Sequence, residues 1–103
     1  MTVITRKIIE SPLYQGVDEE IPYGLTITPW GASPTSISVV LKDVNGVDVS
    51  TTHLSGVATV SGNVITLPVL KDLVADTWYR LEVKYTLSGN TIVEAWAEVY
   101  GEE

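Results

Sequence analysis

The sequence predicts an all-β fold, an antiparallel β-sandwich of seven or eight strands, on the strength of three observations. Val, Ile and Thr supply 35 of the 103 residues, and β-branched side chains lose rotamer freedom in a helix but pack well on a pleated sheet. Residues 77–87 alternate between apolar and mostly charged side chains with period two, the pattern of a half-buried strand. Clusters of Gly, Pro, Asn and Ser separate such segments at intervals of about eight to twelve residues, the spacing of short strands joined by turns.

The last two strands are the plainest. In residues 77–87 (TWYRLEVKYTL), Tyr79, Leu81, Val83, Tyr85 and Leu87 form the apolar face, and Trp78, Arg80, Glu82, Lys84 and Thr86 the other. Ser88-Gly89-Asn90 turns the chain, and in residues 91–100 (TIVEAWAEVY) Val93, Ala95, Ala97 and Val99 are again uniformly apolar. A three-residue loop sets Leu87 opposite Thr91, Tyr85 opposite Val93, Val83 opposite Ala95, Leu81 opposite Ala97 and Tyr79 opposite Val99. The outer face then pairs Lys84 with Glu94, Arg80 with Glu98 and Trp78 with Tyr100, all favourable cross-strand neighbours. A two-residue loop would oppose every inward residue to an outward one, which a buried face forbids.

The other elements follow from turn chemistry. Residues 24–30 (GLTITPW) and 37–44 (ISVVLKDV) read as strands, separated by Gly31-Ala32-Ser33-Pro34. Asn45-Gly46 predicts a type I′ turn with positive φ at both residues, followed by a short strand over residues 47–50. Residues 57–61 and 64–67 flank Gly62-Asn63 as another hairpin. Residues 68–75 (PVLKDLVA) hold either one helical turn or an open crossover, and helical periodicity is convincing nowhere else. Residues 2–10 read as an edge strand in which Arg6 and Lys7 guard the open edge. Residues 1–16 are thus an edge strand or arm of one domain spanning residues 1–103.

Composition narrows the function. The net charge is −7, with six Lys and Arg against 13 Asp and Glu. The scattered cations make no basic stripe for a nucleic acid, and an acidic chain is repelled by anionic membrane surfaces. Solubility of an apolar-rich domain accounts for the charge. The absence of cysteine removes disulfides and thiolate metal sites. No apolar run matches a signal-peptide core or a membrane span.

No constellation of reactive residues stands out. His53 sits in Ser50-Thr51-Thr52-His53 with Asp48 as its nearest acid, and reads as a solvated loop histidine, not a base or metal ligand. No serine has the surroundings of a nucleophile elbow. Asp43-Val44-Asn45-Gly46-Val47-Asp48 sets oxygen ligands around a glycine, but lacks the acidic density and closing Glu of a calcium loop. The turn explains these residues, and weak calcium binding by Asp43 and Asp48 stays open. Asp18-Glu19-Glu20 reads as a solvated acidic loop. No catalytic residue, cofactor or metal is therefore expected.

Surface aromatics are the more telling feature. With Tyr79, Leu81 and Val83 inward, Trp78 and Trp96 point outward, Tyr100 stands beside Trp78, and Ile92 lies further along. Trp and Tyr bury large areas with few rotors and anchor interfaces. Either a partner or a second copy covers them, giving a homo-oligomer in the latter case, or a neighbouring loop or the N-terminal strand does, through Ile4, Ile8 and Ile9, or they are lone exposed residues of no consequence.

Two resemblances add to this reading. Residues 73–83 (LVADTWYRLEV), with a Leu six residues before Tyr79 and a tight turn between, resemble the tyrosine corner of immunoglobulin-like and fibronectin type III domains. The resemblance implies an immunoglobulin-like sandwich in which the Tyr79 hydroxyl returns to a backbone group, making Tyr79 a folding residue. The order Asp18-Glu19-Glu20-Ile21-Pro22-Tyr23-Gly24-Leu25-Thr26-Ile27, Trp30, Ile37-Ser38-Val39-Val40, Leu67-Pro68 and Leu73 to Leu81 is similar to that of small immunoglobulin-like bacteriophage virion proteins, the fibre–tail adaptor and decoration type. That likeness covers roughly residues 17–100. It implies a non-catalytic structural protein made in the host cytoplasm, placed in the virion and partnered by other virion proteins or by itself. Asp76 departs from the pattern, standing where a Gly is usual, and residues 1–16 have no counterpart. The alternative is an immunoglobulin-like ligand-binding module, such as a carbohydrate-binding or cell-surface adhesion domain, with Trp30, Trp78 or Trp96 as a stacking platform.

Overall fold

The closing hairpin is the spine around which the rest is arranged. A computed structural model describes residues 2–8, 11–27 and 33–103. Its elements are β1 (Thr2–Lys7), β2 (Leu13–Gly16), β3 (Gly24–Thr26), β4 (Thr35–Asp43), α1 (Ser50–His53), β5 (Leu54–Ser55), β6 (Thr59–Ser61), β7 (Val64–Thr66), β8 (Val69–Leu70), β9 (Trp78–Thr86) and β10 (Thr91–Glu102). The β9–β10 register is the one the alternation demands, from Tyr85↔Val93 through Val83↔Ala95 to Trp78↔Tyr100. Leu87 N–H donates to the Thr91 carbonyl at 2.7 Å, closing the three-residue loop. Gly89 and Asn90 turn it at φ 85 and 64, where glycine and asparagine are the tolerated residues.

The large sheet runs β1-β10-β9-β4, with β2 also on β10. It is mixed, not antiparallel: β1 and β2 both run parallel to β10. The antiparallel expectation extends hairpin logic to strands from opposite ends of the chain, where no turn sets the direction and the intervening domain is the crossover. The N-terminal arm is an edge, as expected, and it answers β10's outer row of backbone groups almost without a break. Between β1 and β2 the ladder is kept by Ile8 N–H to the Trp96 carbonyl at 2.8 Å. Glu98 N–H then donates to Ser11 Oγ at 2.9 Å.

The second layer is built of short pieces, β3-β7-β6 and β5-β8. It raises the strand count to ten among the described residues, against the seven or eight expected. Pro68, which has no N–H to donate, separates β7 from β8. Leu25, Ile65, Leu67 and Leu70 from this layer share one apolar cluster with Leu41, Leu81, Val83, Ala95 and Val99 of the large sheet. Each large side chain buried there contributes about 1.5–3 kcal/mol before entropy is counted. The architecture is all-β and sandwich-like.

Several local expectations are corrected. Of Asn45 and Gly46, only Gly46 has positive φ, 78°. Its N–H donates to the Asp43 carbonyl, and Asp43 N–H to that of Val47. The turn is therefore type I over Val44-Asn45 with a glycine bulge after it, because the Asp43 carboxylate takes the Asn45 and Val47 N–H groups at 2.9 and 3.0 Å. Residues 47–50 form only a bridge, Lys42↔Asp48, before α1 begins. Residues 68–75 contain β8 and an open crossover, while the helical turn lies at α1. The Gly62-Asn63 hairpin forms, with strands shorter than expected.

His53 is buried, 6% exposed, and not solvated. Ser50 Oγ accepts the Leu41 N–H at 2.9 Å and His53 N–H bonds the Val49 carbonyl, so α1 is tied to β4. That turn sets the imidazole edge-on to Tyr79 at 5.1 Å, with Nδ1 3.2 Å from the Lys71 carbonyl.

Candidate interaction face

The outer face of the large sheet carries the side chains that alternation leaves outside. At its corner end three rings from adjacent strands meet. Trp78 opens β9, Tyr100 faces it across the hairpin, and Tyr14 faces Tyr100 from β2. Trp78 and Tyr100 centroids lie 4.8 Å apart, and Tyr14 stands edge-on to each at 6.3 and 6.1 Å. Tyr14 is 57% exposed and Trp78 38%. Such geometry suits aromatic pairing while leaving ring surface in water.

The corner beneath them is tightly tied. Val74 N–H donates to the Tyr79 hydroxyl at 3.0 Å. Asp76 N–H donates to the Gly101 carbonyl, and Gly101 N–H to that of Thr77, both at 2.9 Å. A Cβ on Gly101 would collide with the Val74 carbonyl oxygen, so only glycine lets β10 pass this loop. Asp76 holds φ 58 and its Oδ1 accepts the Tyr100 hydroxyl at 2.8 Å. That bond, with the nearby Asp76 and Glu102 charges adding to it, holds the Tyr100 phenol above its ordinary value.

Further along, Arg80 lies over Trp96, its guanidinium carbon 4.2 Å from the ring centroid. Arg80 is opposite Glu98 in register, yet its Nε bonds Glu82 at 2.8 Å, and Lys42 reaches the other Glu82 oxygen at 3.2 Å. The expected Arg80–Glu98 pair is thus replaced by a Lys42–Glu82–Arg80 network, while Lys84 and Glu94 approach to 3.9 Å. Partial burial would raise the Glu82 carboxyl, but hydrogen bonds from Arg80 and Lys42 outweigh it and hold Glu82 below the usual range. Lys42, Asp43, Trp78, Arg80, Trp96 and Glu98 line a groove of about 480 Å³ walled by the β4 turn.

Of the four residues singled out in the sequence, Trp78 and Tyr100 come together. Trp96 sits four residues back along β10 under Arg80, and Ile92 lies at the far end, half-buried, apart from the ring cluster. Tyr14 joins them without any signal in the sequence, because its place depends on the parallel β2–β10 pairing. Trp30 and Ile9 lie outside the described residues. Ile8 is buried in the common core, and β1 continues the sheet beside β10 instead of lying across its outer face. The Asp48 carboxylate accepts the Ser50 hydroxyl and N–H at 2.6 and 2.9 Å, which holds it below the usual range. Asp43 and Asp48 thus both serve the turn and the start of α1.

Compared with protein-family models, with curated proteins and with solved structures, the chain matches none.

Proposed function

We propose that the chain is a non-catalytic interaction module of the immunoglobulin-like type, serving as a structural or adaptor protein of a phage virion. In this reading its partner is another virion protein, docked on the outer face of β9 and β10. The Tyr14–Trp78–Tyr100 cluster carries the proposal: three large rings, two of them more than a third exposed, centred on β9 and β10, which have a strand on each side. Rigid aromatic side chains at the centre of a face are the usual anchors of protein interfaces. The Tyr79 corner supports the immunoglobulin-like assignment, and the sequence resemblance over residues 17–100 supports the virion setting. Mass spectrometry of purified phage particles should find the chain at a fixed copy number; particles free of it would overturn the proposal.

The groove between Trp78 and Trp96 favours one second reading, a carbohydrate-binding module in which a sugar stacks on the indoles and bonds Asp43 or Glu98. Saturable quenching of indole fluorescence by a polysaccharide would establish that reading against the first.

A further inference from the structure

The charges around the ring cluster indicate what kind of segment would dock there. Among the described side chains, cations on the outer face are used within it: Lys42 and Arg80 both contact Glu82, and Lys84 lies beside Glu94. At the corner end the carboxylates have no such partners among the described residues. Glu98 and Glu102 stand two residues either side of Tyr100 on the same face of β10, both exposed. Neither is in an ion pair among the described residues. Asp76, also exposed, accepts the Tyr100 hydroxyl. Exposed rings flanked by unneutralised carboxylates favour a cation, and a guanidinium in particular, because its plane stacks on a ring while its fork bonds a carboxylate. This face already contains that arrangement once, where Arg80 stacks on Trp96 and bonds Glu82.

We propose that Tyr14, Trp78 and Tyr100, with Glu98, Glu102 and Asp76, form the docking site for an arginine-bearing segment of a partner protein, which repeats at Trp78 what Arg80 does at Trp96. The net charge of −7 would draw such a segment in before contact. The inference rests on the binding face proposed above and adds the chemistry of its partner.

A hexa-arginine peptide titrated against the intact chain, followed by calorimetry and indole fluorescence, tests this. Binding should be saturable, weaken with salt and exceed that of hexalysine, with none for hexaglutamate. Trp78→Ser and the Glu98→Gln/Glu102→Gln pair should each weaken it about fivefold. Glu94→Gln removes one charge roughly 13 Å from Glu98, four residues back along β10, and should leave it unchanged. Circular dichroism of each variant checks that it is folded. Absent saturation, equal weakening by Glu94→Gln, or equal binding of hexalysine overturns the proposal. So does a wild-type dimer in ultracentrifugation that Trp78→Ser dissociates, since the face would then belong to a second copy. A chain present in particles that ignores hexa-arginine would sink this inference alone, whereas binding by a chain absent from particles would sink only the virion role.

Discussion

Val74 and Tyr79 are joined across the corner of the sandwich, the Val74 N–H donating to the Tyr79 hydroxyl at 3.0 Å. The bond fastens the crossover from β8 to the second residue of β9, and the Tyr79 ring is itself buried against His53. Tyr79→Phe keeps the ring and removes the acceptor, leaving a partly buried N–H unpaired. The expected cost is about 1–2 kcal/mol. For a domain of this size each kcal/mol lowers the melting temperature by about 4–8 °C. A thermal melt at the wild-type temperature would show that the hydroxyl does not hold the corner.

Gly101 and the Val74 carbonyl make the same corner intolerant from the other side. A Cβ at Gly101 would run into the Val74 carbonyl, backbone that cannot swing aside, with Leu73 Cβ close behind it. Gly101→Ala should therefore cost about 3 kcal/mol, the upper range for overpacking. Gly24→Ala is the comparison: its Cβ would meet Val64 Cγ1 at 3.7 Å, an ordinary contact. Urea denaturation should place Gly24→Ala near the wild type and Gly101→Ala far below it; similar midpoints would refute the packing argument.

The contrast between these residues explains what the sequence discloses. The β9–β10 hairpin was legible because period-two patterning with one buried face admits a single register, so Val83 opposite Ala95 follows from alternation alone. Tyr79 was legible because the corner run is local in sequence. Tyr14 was not, since its partners Trp78 and Tyr100 lie more than sixty residues away and meet it through a parallel pairing that leaves no local signature. His53 reads as solvated in the sequence for a related reason: a four-residue helical turn has no periodicity to read, and its burial comes from the attachment of α1 to β4. At Asp43-Val44-Asn45-Gly46 the dipeptide signal for a type I′ turn gave way to a stronger local competitor, the Asp43 carboxylate on two N–H groups.

Acid stability should depend on Glu82. Its folded-state value is depressed below the ordinary 4.5 by Arg80 and Lys42. A depressed carboxylate contributes stability that is complete above the unfolded value and is lost as pH falls through the folded one. Unfolding free energy measured by urea titration should therefore drop below about pH 4.5, and Glu82→Gln should make that fall shallower. An identical acid limb in the variant would show that the Lys42–Glu82–Arg80 network adds nothing.

Asp76 and Tyr100 allow a backbone effect to be separated from a side-chain effect at one position. Asp76 occupies φ 58, a conformation that Gly adopts freely and a Cβ resists by about 1–2 kcal/mol. Its carboxylate meanwhile accepts the Tyr100 hydroxyl. Asp76→Gly and Asp76→Ala both delete the acceptor, but only Gly relieves the backbone, so Ala should be the less stable by about 1 kcal/mol. The two should agree in titration. Tyr100 is held above 10.0 chiefly by that hydrogen bond, so its contribution to stability is complete below the unfolded value and is lost as pH rises through the folded one. Followed by tyrosinate absorbance, one of the five tyrosines should ionise at lower pH in both variants than in the wild type. Equal stability of Gly and Ala would remove the strain argument, and an unmoved titration would remove the hydrogen bond.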